Sequence, residues 1–347
     1  MNGRSSGRVV VTGAAGLIGS ALVRQLNLEG SDDLIVVDRL GTSEKWRHLV
    51  PLRFADYLDA EEFFARIARD PGAFGSVARV FHLGACSSTT ERDASYLIAN
   101  NVRRSQEIAR WALEGNARFV YASSAATYGG LESGMREDLD PAALRPLNMY
   151  GYSKHLFDCW ARREGVLERS AGLKYFNVYG PNEDHKGSMR SVVAKAYEQI
   201  RDRGEVELFR SYREGIADGE QTRDFFYVKD AAAVTSFISS EPAANGLFNV
   251  GGGIERTWND LAGAVFAALD MAPRITYVEM PEVLRGKYQY RTVADVARLR
   301  AAGWTRAATS LEDAVTDYVR NYLVPGAVLG GESSANAQAT PASTHHS

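Results

Sequence analysis

The chain has 347 residues, of which 45% are hydrophobic and 24% are charged, and its formal net charge is −3 at pH 7. These values are ordinary for a folded protein of one large domain or one and a half, and they give no electrostatic reason to expect nucleic acid or a membrane as partner. No apolar run reaches the roughly 18 residues of a membrane-spanning helix. The two cysteines and six histidines form neither a disulfide framework nor a ligand cluster, so we expect a cytoplasmic protein without a metal ion.

A glycine-rich turn follows the first predicted strand, Arg8–Val11. In its G-x-x-G-x-x-G spacing, Gly13 suits a tight turn, Gly16 the close approach of a pyrophosphate, and Gly19 the packing of a helix on the strand. Apolar residues recur at helical spacing from the turn onward, at Leu17, Ile18, Ala21, Leu22 and Leu26. Because the start of a helix offers free N–H groups and a positive dipole, this segment predicts a dinucleotide-binding site.

The second predicted strand, Asp33–Asp38, ends in an acid about 20 residues after the last glycine, where a carboxylate reaches the adenosine ribose. A carboxylate here favours NAD. Arg39 follows directly and Lys45 lies a turn or two further on, and such cations accommodate the 2′-phosphate of NADP. Both cofactors therefore stay open at this point, as does the alternative that Asp38 and Arg39 only cap the strand.

Two further predicted strands, 79–85 and 117–124, end in small or hydroxyl residues. Strands alternate with helices through this half, which predicts an α/β fold with a Rossmann-like, doubly wound parallel sheet. In such a sheet the ligand lies outside the carboxyl ends of the strands, so we expect Ser124 beside the reacting carbon. On the same argument the residues that border the cofactor are Gly84, Ala85, Cys86 and Ser87. The stretch 173–181 is predicted as one strand that a Gly-Pro break closes.

Tyr150 and Lys154 lie four residues apart, so on a helix they occupy one face. A nearby ammonium lowers the pKa of a phenol from its ordinary value near 10, which makes the tyrosine a general acid/base near neutral pH. The same pair could be an ordinary surface contact worth only a fraction of a kcal/mol. The preceding glycine turn and the serine-ended strand favour the catalytic interpretation.

Beyond Pro181 the alternation of predicted strands and helices is less regular. We predict a polar loop at 182–189, a helix at 191–201, a polar insertion at 210–223, strands at 223–228 and 247–253, and a helix at 258–269. No linker composition separates the two halves, so we expect a smaller C-terminal α/β substrate domain that is interleaved with the first. The expected division is a dinucleotide-binding domain at 8–181, to which 223–253 return, a substrate domain at 182–325, and a disordered tail at 330–347.

Longer segments carry a family resemblance: His82–Thr90, Ala122–Gly130, Asn148–Lys154, Tyr175–Pro181 and His185–Met189. With the glycine turn, they resemble the extended short-chain dehydrogenase/reductases that act on nucleotide sugars, and within these the ADP-glyceromanno-heptose 6-epimerases. The resemblance runs from about Arg8 to about Leu323. It implies an isomerase that inverts C6 of an ADP-heptose by transient oxidation with bound NADP, for the inner core of lipopolysaccharide. It also implies a homo-oligomer, with a pentamer as the expected form.

The resemblance implies a role for each residue of the site. Tyr150 would take the hydroxyl proton, Lys154 would lower the Tyr150 pKa and hold the nicotinamide ribose, and Lys186 would be a second proton donor. Ser124 or Thr127 would hydrogen-bond the substrate oxygen. The implied cofactor contacts include Leu17, Ile18, Leu83, Asn100, Val178 and Lys186. The implied substrate contacts are Asn177, Ser188, Lys195, Phe209, Arg210, Arg223 and Tyr288.

The chain departs from the family pattern in the insertion 212–221 and at Ala60, where some members place a lysine near the 2′-phosphate. A UDP-hexose 4-epimerase is the nearest alternative. A 4,6-dehydratase is disfavoured because Ala125 and Ala126 stand where that class carries its Asp-Glu pair. A non-catalytic dinucleotide sensor is also disfavoured, because it would have no need for both Tyr150 and Lys154.

Overall fold

The computed structural model describes residues 7–286 and 288–331. Its strands are β1 (Arg8–Thr12), β2 (Leu34–Asp38), β3 (Asp56–Asp59), β4 (Val77–His82), β5 (Arg118–Ser124), β6 (Ser170–Tyr175), β7 (Asn177–Tyr179), β8 (Val206–Phe209), β9 (Thr222–Arg223), β10 (Phe225–Tyr227), β11 (Gly246–Val250), β12 (Arg256–Thr257) and β13 (Ile275–Val278). Its α-helices are α1 (Leu17–Leu28), α2 (Ala60–Arg69), α3 (Ala94–Leu97), α4 (Arg104–Glu114), α5 (Met149–Arg163), α6 (Val192–Arg203), α7 (Val228–Ser240), α8 (Trp258–Ala268), α9 (Glu282–Arg285), α10 (Ala297–Ala301) and α11 (Leu311–Tyr318). Short 3₁₀ segments span Glu44–His48, Ala125–Tyr128, Pro141–Ala143, Val166–Glu168 and Asp184–Met189, and π-helical segments span Ile98–Arg103 and Val319–Leu323.

Seven strands form one sheet in the order β11-β6-β5-β4-β1-β2-β3, and each neighbouring pair is parallel. The chain moves outward from β1 through β2 and β3, then returns to the other side of β1 at β4. The strand order therefore reverses between β1 and β4, which is where such a sheet forms its ligand crevice. The predicted Rossmann-like parallel sheet is confirmed.

Helices cover both faces of the sheet, as an all-parallel sheet requires. In β1, Val9 and Val11 pack with α1 and α7, whereas Val10 packs with α2, α4 and α5 on the other face. These three side chains are at most 1% exposed, and burying each contributes about 1.5–3 kcal/mol. A slip by one residue would exchange the two faces, so this burial fixes the register of β1 and the position of the glycine turn that follows it.

A second apolar core joins the C-terminal helices α6, α8 and α11 through the fully buried Val193, Val265 and Val315. Leu17 of α1 and Val228 of α7 also belong to this core, although both helices cover the main sheet. The C-terminal elements are therefore packed directly on the helices of the sheet.

The prediction of a single strand at 173–181 is wrong. β6 pairs with β11 in the main sheet, whereas β7 pairs with β10 in a separate two-stranded sheet. The N–H of Phe176 donates to the carbonyl of Val250 at 3.0 Å, but the next N–H, of Asn177, donates to Asp224 at 3.2 Å. This change of partner between adjacent residues leaves no sign in the hydrophobic pattern.

The predicted strand 223–228 is also interrupted. The carboxylate of Asp224 accepts the N–H groups of Gly252, Gly253 and Ala294 at 2.8–3.0 Å, which holds the backbone between β9 and β10. Within the two described ranges, no helix is both long and apolar enough to cross a membrane. The tail predicted as disordered lies outside the described residues from 332 onward.

Candidate active site

The glycine turn after β1 is shaped for a phosphate group. Gly13 has a φ of +70°, and a Cβ there would come within 2.6 Å of the Gly84 nitrogen. A Cβ on Gly19 would overlap the carbonyl oxygen of Gly13, so α1 packs directly against the turn. Gly16 stands at the N-cap of α1 and offers no side-chain cap, which leaves the first N–H groups and the helix dipole for an anion. This cradle fits the pyrophosphate of a dinucleotide.

A cavity of about 180 Å³ lies beside this turn. There the carboxylate of Asp38 accepts the N–H of Ala15 at 2.8 Å and the ammonium of Lys45 at 2.6 Å. The guanidinium of Arg39 donates to the side-chain oxygen of Asn100 at 2.7 Å. Four residues that the sequence assigns to the cofactor therefore lie together, and Lys45 neutralises the charge of Asp38.

The same cavity is lined by a positively charged side chain that the sequence interpretation missed. Arg104 lines it together with Ala60, lies 4.5 Å from the ring centre of Phe64, and pairs with Glu61 at 2.8 Å. Arg104 directly follows the π-helical segment Ile98–Arg103. Such segments are frequent at functional sites, but the apolar spacing of the sequence gives no sign of this one.

A larger cavity of about 500 Å³ adjoins the first and shares with it Gly13, Asp38, Lys45, Gly84, Ala85 and Cys86. Its walls come from the ends of β4 and β5, from α5, and from the segment after β7. The other predicted residues that line it are Gly16, Leu17, Ile18, Gly19, Leu83, Ser87, Ser124, Tyr150, Lys154, Val178 and Lys186. The structure thus brings all four predicted catalytic side chains to one cavity.

Asn101, which is not among the predicted residues, fixes one wall of this cavity. It is fully buried, bonds both the N–H and the carbonyl of Cys86 at 2.9 Å, and donates to the hydroxyl of Ser153 at 3.0 Å. These bonds join the loop after β4 to α5. A pair of adjacent asparagines in a helical segment is the sequence signal that could have found it.

Tyr150 and Lys154 lie in the first turns of α5, which Asn148 begins by accepting the N–H of Gly151 at 2.8 Å. The ammonium of Lys154 donates to the carbonyl of Ala122 at 3.0 Å, and burial lowers the pKa of Lys154 to about 8. A buried lysine with a lowered pKa is typical of catalytic sites.

The prediction that the Tyr150 pKa is lowered is wrong for the protein side chains without a cofactor. Burial raises the pKa of Tyr150, and a hydrogen bond with Ser124 offsets part of that rise. Water does not solvate a phenolate in this pocket. Additional positive charge is therefore needed before Tyr150 can ionise near neutral pH.

Thr127 does not reach the cavity, which contradicts its predicted contact with substrate. It is fully buried, and its hydroxyl donates to the carbonyl of Ser124 at 2.8 Å and accepts from Lys174 at 2.5 Å. Lys174 pairs with Asp158 at 3.0 Å, and both side chains are at most 1% exposed. Thr127 therefore holds the backbone of Ser124 in place from behind.

Lys186 lies on a 3₁₀ segment, Asp184–Met189, where the sequence predicts a polar loop. Burial lowers the pKa of Lys186, which moves it toward the range of a proton donor near neutral pH. The backbone turns directly after it at Gly187, whose φ is +53°.

A third cavity, of about 220 Å³, opens beside Lys186 and is lined by β7, by Phe225 of β10 and by residues of the segment 183–191. The exposed Asn177 lines it, and its contact with substrate stays a prediction. Ser188 is exposed and Lys195 is half-buried, and neither lines the three cavities described.

Arg223 and Tyr288 form a cluster beside the third cavity. The guanidinium lies 5.1 Å from the ring centre of Tyr288 and 5.5 Å from that of Trp258, whose indole N–H donates to the Tyr288 hydroxyl at 2.9 Å. Trp258 packs edge-on against Phe225, which lines the third cavity, with 5.0 Å between ring centres. Trp258 is a further residue that the sequence interpretation did not single out for the site.

Phe209 and Arg210 are exposed at the end of β8, and the structure does not bring them to the three cavities. Gln221 donates to both of their carbonyls at 3.4 Å. The insertion 212–221 therefore folds back onto the end of this strand.

Within residues 7–286 and 288–331, His48, Asp184 and His185 are grouped closely enough for one donor atom of each to lie within 4.8 Å of the others. The Nε2 of His48 is 2.7 Å from a carboxylate oxygen of Asp184, which is the length of a direct hydrogen bond. Two of the three groups are thus close enough to bond each other directly, and the absence of a metal stays a prediction.

The family model for the NAD dependent epimerase/dehydratase family matches residues 9–251. This range is more than half of the chain, so the protein belongs to that family. Its cofactor is accordingly a nicotinamide dinucleotide, which agrees with the cradle at the glycine turn.

Comparison with individual proteins is more specific than the match to the family model. The ADP-L-glycero-D-manno-heptose-6-epimerase of Nitratidesulfovibrio vulgaris is 54% identical over 316 residues, which cover 90% of this chain and 97% of the relative. The enzyme of the same name from Fusobacterium nucleatum is 42% identical over 325 residues, with 91% and 98% coverage. The crystal structure of the Helicobacter pylori enzyme of that name superposes with a TM-score of 0.76 over 90% of this chain and 95% of its own, and at 24% identity it shows the fold alone.

Proposed function

We propose that the protein interconverts ADP-D-glycero-β-D-manno-heptose and ADP-L-glycero-β-D-manno-heptose by inverting C6 of the heptose. The observation that carries this proposal is a single cavity that joins the cofactor cradle to Ser124, Tyr150, Lys154 and Lys186. The 54% identity to a relative named for this reaction selects the heptose as substrate. We place the reaction in the cytoplasm, where it supplies heptose for the inner core of lipopolysaccharide.

The chemistry at C6 explains why these residue types are needed. The C6–H bond is not acidic, because C6 carries a hydroxyl and has no carbonyl beside it. When bound, NADP⁺ would accept a hydride from C6 and return it to the opposite face. Ser124 orients the substrate hydroxyl and Tyr150 takes its proton, while Lys154 holds the nicotinamide ribose.

Inversion also needs a second proton-transfer group. Once the ketone has turned to present its other face, its oxygen no longer points at Tyr150. Lys186 lines the same cavity from another element, and burial lowers its pKa, so it can protonate the oxygen in that orientation.

We propose NADP as the cofactor in preference to NAD. Arg39, Lys45 and Arg104 line the cavity at the adenosine end, where Lys45 already neutralises Asp38. Arg104 supplies there the positive charge that Ala60 does not, and a guanidinium can bind a phosphate through two parallel hydrogen bonds.

This assignment predicts that Arg104→Leu raises the dissociation constant for NADP⁺ about tenfold and leaves that for NAD⁺ nearly unchanged, since a hydrogen bond to a charged group is worth about 1.5–3 kcal/mol. Both constants are measured by titrating the cofactor-free protein. Arg103→Leu is the control, because Arg103 is the exposed neighbour. An equal rise in both dissociation constants would show that Arg104 does not bind the 2′-phosphate.

We further propose that residues 8–181 with 223–253 bind the dinucleotide and that 182–325 enclose the sugar. The substrate contacts proposed for the second part and its border are Asn177, Ser188, Lys195, Arg223 and Tyr288, with Phe209 and Arg210 near the adenine of the substrate. The family resemblance alone supports a homo-oligomer, with a pentamer as the expected form. Light scattering tests it against the 38.0 kDa of one chain.

The proposed activity is tested by incubating the purified protein with ADP-D-glycero-β-D-manno-heptose without added cofactor, and determining the C6 configuration by NMR. A mixture of both epimers is expected. If no conversion occurs with or without added NADP⁺ while UDP-glucose is epimerised, the protein is a UDP-hexose 4-epimerase instead.

A further inference from the structure

A buried histidine connects the glycine turn to the segment that carries Lys186. His48 is 0% exposed and ends the 3₁₀ segment that also holds Lys45. Its Nδ1 lies 2.8 Å from the carbonyl oxygen of Ala15 in the glycine turn, and its Nε2 lies 2.7 Å from Oδ1 of Asp184. The imidazole therefore bridges two segments that lie far apart in the sequence.

The two partners of His48 fix its protonation state. The carbonyl of Ala15 can only accept, and an ionised carboxylate at Asp184 can likewise only accept. A neutral imidazole has one N–H, which would leave one ring lone pair facing an acceptor. Both contacts are hydrogen bonds at the same time only when both ring nitrogens carry a proton, which would make His48 an imidazolium paired with Asp184.

Three consecutive side chains anchor the chain just before Lys186. Asn182 donates to a serine of α1 at 3.0 Å, and Glu183 accepts from a tyrosine of α11 at 3.0 Å. Asp184 is the one that bonds His48. Of the three anchors it is the nearest to Lys186, and through His48 it ties the lysine segment to the glycine turn.

The next residue offers no substitute for this anchor. His185 packs edge-on against His48, with 5.4 Å between ring centres. Its buried Nδ1 has no hydrogen-bond partner among residues 7–286 and 288–331. Without Asp184, the edge-on ring contact of His185 would remain between the 3₁₀ segment and His48, but no hydrogen bond of His185 Nδ1 would replace the lost one among the described residues.

We propose that His48 and Asp184 are positioning residues, whose hydrogen bond holds Lys186 at the distance from the glycine turn that the second proton transfer requires. This inference rests on the proposed role of Lys186. His48 itself is buried behind the cavity wall, so it acts through Asp184 and not on the substrate.

A pair of substitutions at one position tests the proposal. In Asp184→Asn the bond survives, because a neutral His48 donates from Nδ1 to Ala15 and accepts the asparagine N–H at Nε2. In Asp184→Ala the bond is lost. We expect kcat to fall about tenfold or more in the alanine variant and to stay near wild type in the asparagine variant, since small misplacements of a reacting group are costly. The dissociation constant for NADP⁺ should be unchanged in both.

Asp202→Ala, at an exposed acid near the end of α6, is the control and should behave as wild type. Proton–nitrogen NMR of the histidine rings, with His48 assigned through His48→Asn, should show two N–H groups on His48 in the wild type and one in Asp184→Asn. Wild-type kcat in Asp184→Ala, an equal loss in both variants, or a neutral His48 in the wild type would each overturn the proposal. The NMR measurement needs no substrate, so failure of the heptose reaction is distinguished from failure of the hydrogen bond.

Discussion

The two side chains that we propose as proton-transfer groups are held in place in very different ways. Tyr150 lies in the first turn of the 15-residue α5, which packs on the sheet through the buried Phe157 and Trp160. Lys186 lies on a six-residue 3₁₀ segment whose residues are half-buried or exposed, and polar side chains hold the chain before it. One group is thus held by apolar packing and the other by individual hydrogen bonds.

This difference decides how each group can be recognised and disturbed. The helical spacing of Tyr150 and Lys154 is visible in the sequence, whereas Lys186 stands out only through the family resemblance. A residue on a packed helix keeps its place when single surface contacts change, but one on a short segment depends on each anchor.

The largest expected effect is at the helix. Tyr150→Phe should lower kcat about 10³-fold, because loss of the phenol hydroxyl removes general acid/base catalysis while the ring still fills its place. Melting temperature and retention of the bound cofactor should stay unchanged. Tyr152→Phe, at an exposed tyrosine on the same helix, is the matched control. Full turnover by Tyr150→Phe would show that the phenol carries no proton.

The lysine segment should give a smaller loss. We expect Lys186→Met to lower kcat about 10²-fold with little change in the dissociation constant for NADP⁺. Lys186→Arg should be nearly as slow, because a guanidinium keeps the charge but does not give up its proton near neutral pH. Steady-state kinetics with the heptose measures both, and wild-type rates in Lys186→Met would rule out the two-donor scheme.

The smallest expected effect is a pH dependence. With a pKa of about 8, Lys154 is mostly charged at pH 7 and mostly neutral at pH 9. Affinity of the cofactor-free protein for NADP⁺ should therefore weaken by up to about tenfold as pH rises through 8. Binding titrations at several pH values test this, and Lys154→Met should abolish the change. If Lys186→Met abolishes it instead, the titrating group belongs to the lysine segment.

The features that the sequence predicts correctly are those with local causes. The glycine turn, the acid at Asp38 and the Tyr150/Lys154 spacing each depend on a few neighbouring residues. The strand break at Phe176 and the π-helical segment Ile98–Arg103 depend on partners elsewhere in the chain, so the apolar pattern does not mark them.

Side-chain direction also limits what the sequence can predict. Thr127 has a hydroxyl close to Ser124 in sequence, but the buried Lys174 draws that hydroxyl away from the cavity. His48 and Asp184 are 136 positions apart, and neither belongs to a recognisable motif. Their contact follows from how the strands bring two short segments together, which no local spacing records.

The separation of β7 and β10 from the main sheet has a consequence for how such a site can evolve. Asn177 and Phe225 lie on this two-stranded sheet and line the cavity beside Lys186. Substitutions there would alter the wall of this cavity while the seven-stranded sheet and the glycine turn keep their register. Selection can therefore reshape this cavity through a few changes in the small sheet, with the glycine turn and the main sheet inherited unchanged.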